Sequence, residues 1–394
     1  MKSFSQLSLV LALVSGTLWA QGQSPKHAPV MVPETTIERL EDRGIRAHTN
    51  HLILEEAKPS RPGGGGPSGE TPASIRGVYN LPSTGGSQTV AIVDAFDYST
   101  AENDLNVFST KFSLPACTTA NGCFKKIFAS GSQPPANCGW GQEAALDIEW
   151  AHAMAPSAKI VLVEAASNSF TDLFAAVDVA TAQVTSSSGK GEVSMSWSGG
   201  EFSTESSNDG HFQNNNVVYF AASGDSGGVN GYPSVSPYVV SAGGTTIHRN
   251  SSGQFTGETG WSGSGGGPSK YESKLSYQNN VPGTDPTQRS APDFSFDADP
   301  NSGVSVYDST RCQGRSGWLV FGGTSVSSPS LAGIVNLAGH FSASTVSELT
   351  TIYANYANAS DFRDITSGTA GSFSAGPGYD FVTGVGSDQG LSGK

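Results

Sequence analysis

The stretch "FGGTSVSSPSLAG", residues 321–333, decides how the rest of the chain is read. Two glycines make a tight turn and deliver Ser325 to the start of a helix, with small residues and Pro329 following in its first turn. The positive end of a helix dipole stabilises negative charge there, so Ser325 is a candidate nucleophile. A serine without an activating base is nearly inert, and the rest of the sequence has to supply one.

Outward from this stretch, apolar runs of strand length alternate with helical patterns. "TVAIVDAF" (89–96), "AKIVLVEA" (158–165), "EVSMSW" (192–197), "NVVYFAAS" (216–223) and "YVVSAGG" (238–244) read as buried strands. "QEAALDIEWAHAM" (142–154) and "SFTDLFAAVDVATAQV" (169–184) read as helices. The alternation predicts an α/β fold: βαβ units in a mostly parallel sheet with helices on both faces. Residues 250–320 read as loop-rich, with turns such as "SGSGGGPS", and no internal repeat is visible. One domain over 71–394 is expected. Ahead of it, residues 21–70 read as a short leader, with one short helix in "ETTIERLEDRGI" (34–45). The leader ends in a Gly/Pro linker, "KPSRPGGGGPSGE" (58–70), where a maturation cut fits. The folded part is expected to begin near Thr71.

The chain has 394 residues, 49 of them glycine, only 14% charged, with a net charge of −13. Such a balance argues against nucleic acid or anionic membrane surfaces as partners. "MKSFSQLSLVLALVSGTLWA" (1–20) carries an early lysine, an apolar run from Leu7 to Val14 and small residues up to Ala20, as a secretory signal does. No later run reaches the length of a membrane span. The expected location is extracellular, where cysteines pair. Cys117, Cys123, Cys138 and Cys312 allow three pairings. The short "TTANG" between the first two favours a local loop and leaves Cys138 for Cys312. A four-cysteine zinc site would want a C-x-x-C pair, which the chain lacks.

The pattern G-T-S-x-x-x-P is that of subtilisin-like enzymes, whose base is a histidine in an H-G-T context. Of seven histidines, His27, His48 and His51 lie in the leader, and His152, His211, His248 and His340 are followed by Ala, Phe, Arg and Phe. His152 and His340 fall within expected helices. None fits. The better candidate is in "GWGQEAALDIEWAHAM": Glu143 and Asp147 are four apart and share a helix face. Their helix is otherwise mainly Ala, Leu, Ile and Trp, which favours buried carboxyls with raised pKa. Glu149, two positions on, is expected to be solvated. Asp94 and Asp97 in "DAFD" read as strand-end and turn residues.

"E-A-A-L-D", "S-G-D-S-G" and "G-G-T-S-x-S-S-P", in this order, resemble the sedolisins, the serine-carboxyl peptidases. "RSAPDFSFDADP" (289–300) and the C-terminal "DITSG…AGPGYDFVTGVGS" add to the likeness, which runs over about 71–390. The resemblance implies a subtilisin-like fold and a Ser–Glu–Asp triad. Ser325 is then the nucleophile, Glu143 the general base and then acid, and Asp147 the residue that orients Glu143. A Glu/Asp pair sharing a proton can serve as a base in acid, where imidazole is already protonated. The resemblance also implies that Asp225, in "SGDSG", is an oxyanion donor, which requires a neutral carboxyl. It implies one structural Ca²⁺, held by the Asp364 and Asp380 carboxylates and the carbonyls of Ile365, Gly376 and Gly378, with water as a further ligand. "SWSGGE" (196–201) and "GWSGSGGGPS" (260–269) are expected to line the cleft.

The expected activity is a secreted, acid-acting endopeptidase, monomeric, with protein or peptide substrates. A tripeptidyl exopeptidase, a histidine-based serine hydrolase and a non-catalytic calcium-binding module are the alternatives. Sedolisins commonly carry a long folded prosegment, and here only about fifty residues separate the signal from the domain.

Overall fold

The computed structural model describes residues 29–55 and 66–394; the segment 1–20, expected to be a secretory signal, and most of the Gly/Pro linker lie outside the described residues. Ten strands form one sheet. Phe124–Phe128, Lys159–Ala165, Thr89–Ala95, Gly191–Met195, Val217–Ala222, Val240–Arg249 and Phe294–Asp297 run side by side in that order, all parallel. Antiparallel strands occur at the margins, at Phe255–Gly260 and Phe362–Arg363. The central strand shows how the sequence builds two cores. Val90 and Ile92 of "TVAIVDA" join the core on one face, and Ala91, Val93 and Ala95 join the core on the other, as strand alternation requires. Cys138–Met154 and Thr324–Ala338 pack on the first face, and Phe170–Ser187 covers the second. The fold is the α/β single domain, a mostly parallel sheet with helices on both faces, that the sequence pattern predicts.

The Cys138–Met154 helix is capped by Asn137, whose side chain accepts from the Gly139 and Trp140 amides. It is buried on every side, so its polar residues Gln142, Glu143, Asp147, Glu149 and His152 are all taken out of water. Both disulfides form as the spacing suggests, Cys117–Cys123 and Cys138–Cys312. The second ties the start of this helix to the hairpin that leads into Ser325.

Three expectations need correction. Residues 250–320, read as loop-rich, also hold regular pairing that the sequence did not show: Val304–Cys312 and Arg315–Gly322 form an antiparallel hairpin. It turns at Gln313 and Gly314, both with positive φ, and glutamine is an uncommon occupant of such a turn. His340 lies beyond the last helical residue, Ala338, because Gly339 terminates the helix in a left-handed conformation. The short leader helix does not form. Residues 34–45 hold two single turns, Glu34–Thr36 and Leu40–Asp42. Threonine hydroxyls there bond across the leader instead, Thr36 Oγ1 to Thr49 Oγ1 at 3.0 Å and to the His51 carbonyl at 2.9 Å. The packed part therefore begins well before Thr71, and Asn50, His51 and Ile53 are fully buried.

Candidate active site

Ser325 is the second residue of its helix, and Gly323 precedes it with φ +94°. Pro329 lies four residues on and has no N–H, so it frees the Ser325 carbonyl from the helix ladder. Ser196, just after the Gly191–Met195 strand, takes up that carbonyl: its Oγ is 3.3 Å from Ser325 O and 2.9 Å from Asp147 Oδ1. The Ser325 hydroxyl in turn donates to the Ser196 carbonyl at 3.1 Å. One hydroxyl proton on Ser196 cannot serve two acceptors. A protonated Asp147 resolves this by donating to Ser196 Oγ, which passes its own proton to Ser325 O. Burial first, then the charges of Asp94 and Glu143, push the Asp147 carboxyl well above its ordinary range.

Asp94 joins this group. It lies inside the Thr89–Ala95 strand, 1% exposed, with both carboxyl oxygens unpartnered. Burial, then Glu143 and Glu164, raise its pKa. Asp94, last but one in that strand as expected, is thus also a third buried acid beside the pair, whereas Asp97 bonds Lys126 and Gln133. Burial thus holds both Asp94 and Asp147 toward their neutral forms. Glu149 is also buried, contrary to expectation: its carboxylate accepts the Tyr307 amide at 3.0 Å, on the face covered by the Val304–Cys312 strand.

Asp225 follows the Val217–Ala222 strand. Its Oδ1 accepts from the Thr324 amide at 2.8 Å and the Thr324 hydroxyl at 2.9 Å, and its Oδ2 is buried and unpartnered. Burial outweighs those two bonds and, with the Glu143 charge, lifts its pKa to about 8. In acid it is a neutral donor.

The leader fills the cleft. His48–Thr49 pairs antiparallel with Trp197–Gly200, and Leu52–Leu54 pairs antiparallel with Arg315–Gly322. Between them, the Asn50 carbonyl accepts the Ser325 backbone N–H at 3.0 Å. A Cβ on Gly323 would lie 2.2 Å from that carbonyl oxygen and 2.5 Å from Asp225 Oδ2, so only glycine lets both reach this point. Glu143 Oε2 accepts the Asn50 amide at 3.2 Å and lies 2.9 Å from His51 Nδ1. Ser325 and Glu143 therefore meet the two peptide units on either side of the Asn50 α-carbon, Ser325 at the Asn50 carbonyl and Glu143 at the Asn50 N–H, while Asp147 is tied in through Ser196 and Asp225 through Thr324. Ser196, Asp94 and the leader were not assigned from sequence; the signal for Ser196 is the proline four residues after Ser325.

The other histidines sit elsewhere: His152 on the Pro115 carbonyl, His211 on Asp178, His248 on Thr259 and His340 on the Lys394 carbonyl. At the C-terminus, Asp364 and Asp380 converge on one glycine loop. Gly378 N donates to both Asp364 oxygens at 3.1 and 3.2 Å, and Gly376 N to Asp380 Oδ2 at 3.0 Å. Two carboxylates on a loop that bends at Gly378, φ +79°, make a donor set that suits a hard cation. The loop here turns N–H groups, not carbonyls, toward them. Among the described residues, the other close group of possible ligands is Cys117, Cys123 and His152, and its sulfurs are locked in a disulfide.

No family model matches the chain. At the sequence level it is similar to sedolisin from Pseudomonas sp. (strain 101), 34% identical over 205 residues, which cover 48% of this chain and 33% of that protein. It is also similar to kumamolisin from Bacillus sp. (strain MN-32), 30% identical over 364 residues, covering 82% of this chain and 63% of that protein. Xanthomonalisin from Xanthomonas sp. (strain T-22) is 31% identical over 184 residues, 39% of this chain and 21% of that protein. The chain thus spans less than two thirds of the length of each relative. A solved structure of Pseudomonas sedolisin, complexed with two molecules of pseudo-iodotyrostatin, matches with a TM-score of 0.67 at 24% identity, over 82% of this chain and 96% of that one. Sphericase matches with 0.51 at 18% identity, over 80% and 96% of the two chains. Together, these sequence relatives and this fold support membership of the sedolisin family.

Proposed function

We propose that the protein is a secreted serine-carboxyl endopeptidase that works in acid. The observation that carries this reading is the Asn50 carbonyl on the Ser325 N–H, with Glu143 close by on the Asn50 N–H, one peptide unit upstream. Ser325 Oγ leaves the Ser196 carbonyl and attacks the substrate carbonyl carbon while Glu143 takes its proton. The oxyanion forms on the Ser325 N–H and a neutral Asp225. Glu143 then protonates the leaving nitrogen, an ester remains on Ser325, and water hydrolyses it by the same proton route. Asp147, held by Ser196, orients Glu143 and carries the shared proton.

The path of the leader supports an endopeptidase. Upstream of His48 the chain continues through Ala47, whose N–H donates to the Asn168 carbonyl at 2.9 Å and whose carbonyl accepts from Asn168 Nδ2 at 2.7 Å. A tripeptidyl exopeptidase would close the cleft after three residues; here a fourth is bound. Secretion rests on the signal-like segment 1–20 and on the two disulfides, which need an oxidising compartment. No described helix is long and apolar enough to cross a membrane.

A pH–rate profile on an unfolded protein substrate tests the reading. Activity should be highest in acid and fall as Asp225 ionises, about pH 8 at the latest. Asp225→Asn, whose amide donates at every pH, should be slower yet lose that alkaline limb. Activity that rises toward neutral pH would count against the scheme.

Asp364 and Asp380, with the carbonyls of Ile365, Gly376 and Gly378, are the residues that would hold Ca²⁺. Its role is to fix the C-terminal loop against the body. Chelation should lower the melting temperature by about 5 °C or more, and Asp380→Asn should do the same while becoming insensitive to chelator. Calorimetry with and without EGTA checks this.

A further inference from the structure

The leader meets the cleft by its side chains as well as its backbone. Asn50 is fully buried, and its carboxamide is read at both ends. Oδ1 accepts from Ser198 Oγ at 3.1 Å, and Nδ2 donates to the Ser196 carbonyl at 3.3 Å. Ser198 is on the strand that pairs with His48–Thr49, so backbone register and side-chain reading are set by one element. Ser196 holds Ser325 and Asp147 as well, which ties the reading to the reacting groups. On the far side of the bond, Leu52 and Ile53 lie opposite Gly322 and Phe321, and the His51 ring stacks on Phe321 with centroids 5.3 Å apart. Both sides of Asn50–His51 are thus engaged as a peptide substrate would be.

We infer that the subsite beside Ser325 selects asparagine, and that Asn50–His51 is the bond the enzyme cuts in its own chain. This rests on the peptidase reading above. Ser325 Oγ bonds to the Asn50 carbonyl carbon, its proton passes through Glu143 to the His51 nitrogen, and the C–N bond breaks. Water then releases Asn50 as a carboxylic acid and returns the proton to Ser325. The pocket rejects other side chains for stated reasons. Alanine removes the acceptor of the Ser198 hydroxyl and one of the three donors to the Ser196 carbonyl. Glutamine is one methylene too long for a pocket already closed around Asn50. Aspartate presents a second oxygen to the Ser196 carbonyl, which is tolerated only while that oxygen is protonated, below about pH 4.

Two measurements test this. Purified full-length precursor is brought to pH 4 and its fragments are sequenced from the N-terminus. The expected new terminus is His51, absent from Ser325→Ala and slowed at least about tenfold in Asn50→Ala. Separately, mature enzyme is profiled on peptides that vary only at the residue before the cut. Asparagine should exceed alanine by about tenfold or more in kcat/KM, and aspartate should approach asparagine at pH 3 and fall away by pH 5. Ser198→Ala should shrink the asparagine-to-alanine ratio about tenfold. An active peptidase that cuts itself elsewhere and ignores asparagine overturns this inference and leaves the peptidase reading intact. Absence of any Ser325-dependent hydrolysis overturns both.

Discussion

Replacing Glu143 by glutamine, or Ser325 by alanine, should lower kcat on a peptide substrate by roughly four to six orders of magnitude at acid pH. Glutamine keeps the volume of a fully buried side chain and still offers an oxygen to the Asn50 amide, so folding and ground-state binding should survive. It cannot accept the Ser325 proton. KM should therefore change little while kcat collapses, the signature of an interaction used in the transition state. The two substitutions should not be additive, because either one alone removes the same proton transfer. Replacing His51 provides the contrast. His51 is the histidine that meets Glu143, and the proposed cut makes it the first residue of the downstream piece, outside the reacting groups named above. His51→Ala should leave hydrolysis of an added peptide by mature enzyme unchanged, as should changes at His152, His211, His248 and His340. Loss of activity in any of these would restore an imidazole base, and survival of Glu143→Gln would remove the carboxyl one. Steady-state kinetics with folding checked by circular dichroism decides.

The protein should also be far more stable at pH 4 than at pH 8. Glu205 and Glu272 are both raised to about 8, first by burial, then by each other's neighbours Glu201 and Asp209. Glu164 is raised to about 8 by burial, against the partial relief of the Tyr98 amide and Lys126. A group whose folded pKa lies above its unfolded value binds its proton more tightly when folded. Its contribution is complete below the unfolded value near 4.5 and is lost as pH rises through about 8. Several such groups add in the same direction, so the melting temperature should fall by roughly 10 °C or more over that window. Differential scanning calorimetry at both ends measures it, and Glu205→Gln with Glu272→Gln should flatten the slope. A melting temperature that is level or higher at pH 8 would show that these carboxyls find partners.

The alternation of apolar runs gave the sheet and its helices, because a parallel strand buried on both faces leaves a continuous apolar signature. The hairpin at 304–322 escaped notice: "VSVYDSTRC" mixes polar and apolar residues as an edge does, and its turn uses glutamine. The burial of Glu143 and Asp147 was legible from their place on an apolar helix. Glu149 was misread on the same helix, because a period of 3.6 says which residues share a face, not which faces a second layer will cover. The leader was the hardest part to read. "AHTNHLIL" has no periodicity of its own, since its order comes from strands of the body that lie far away in sequence.

The ladder between Val30–Met31 and Leu52–Leu54 has a bearing on timing. A break at Asn50–His51 leaves the upstream piece still zipped to the downstream one, so scission and departure become separate events. Enzyme assayed immediately after nicking would be silent, then gain turnover with a lag that shortens on dilution or mild heating. The clock for that lag is peeling of a strand, not hydrolysis.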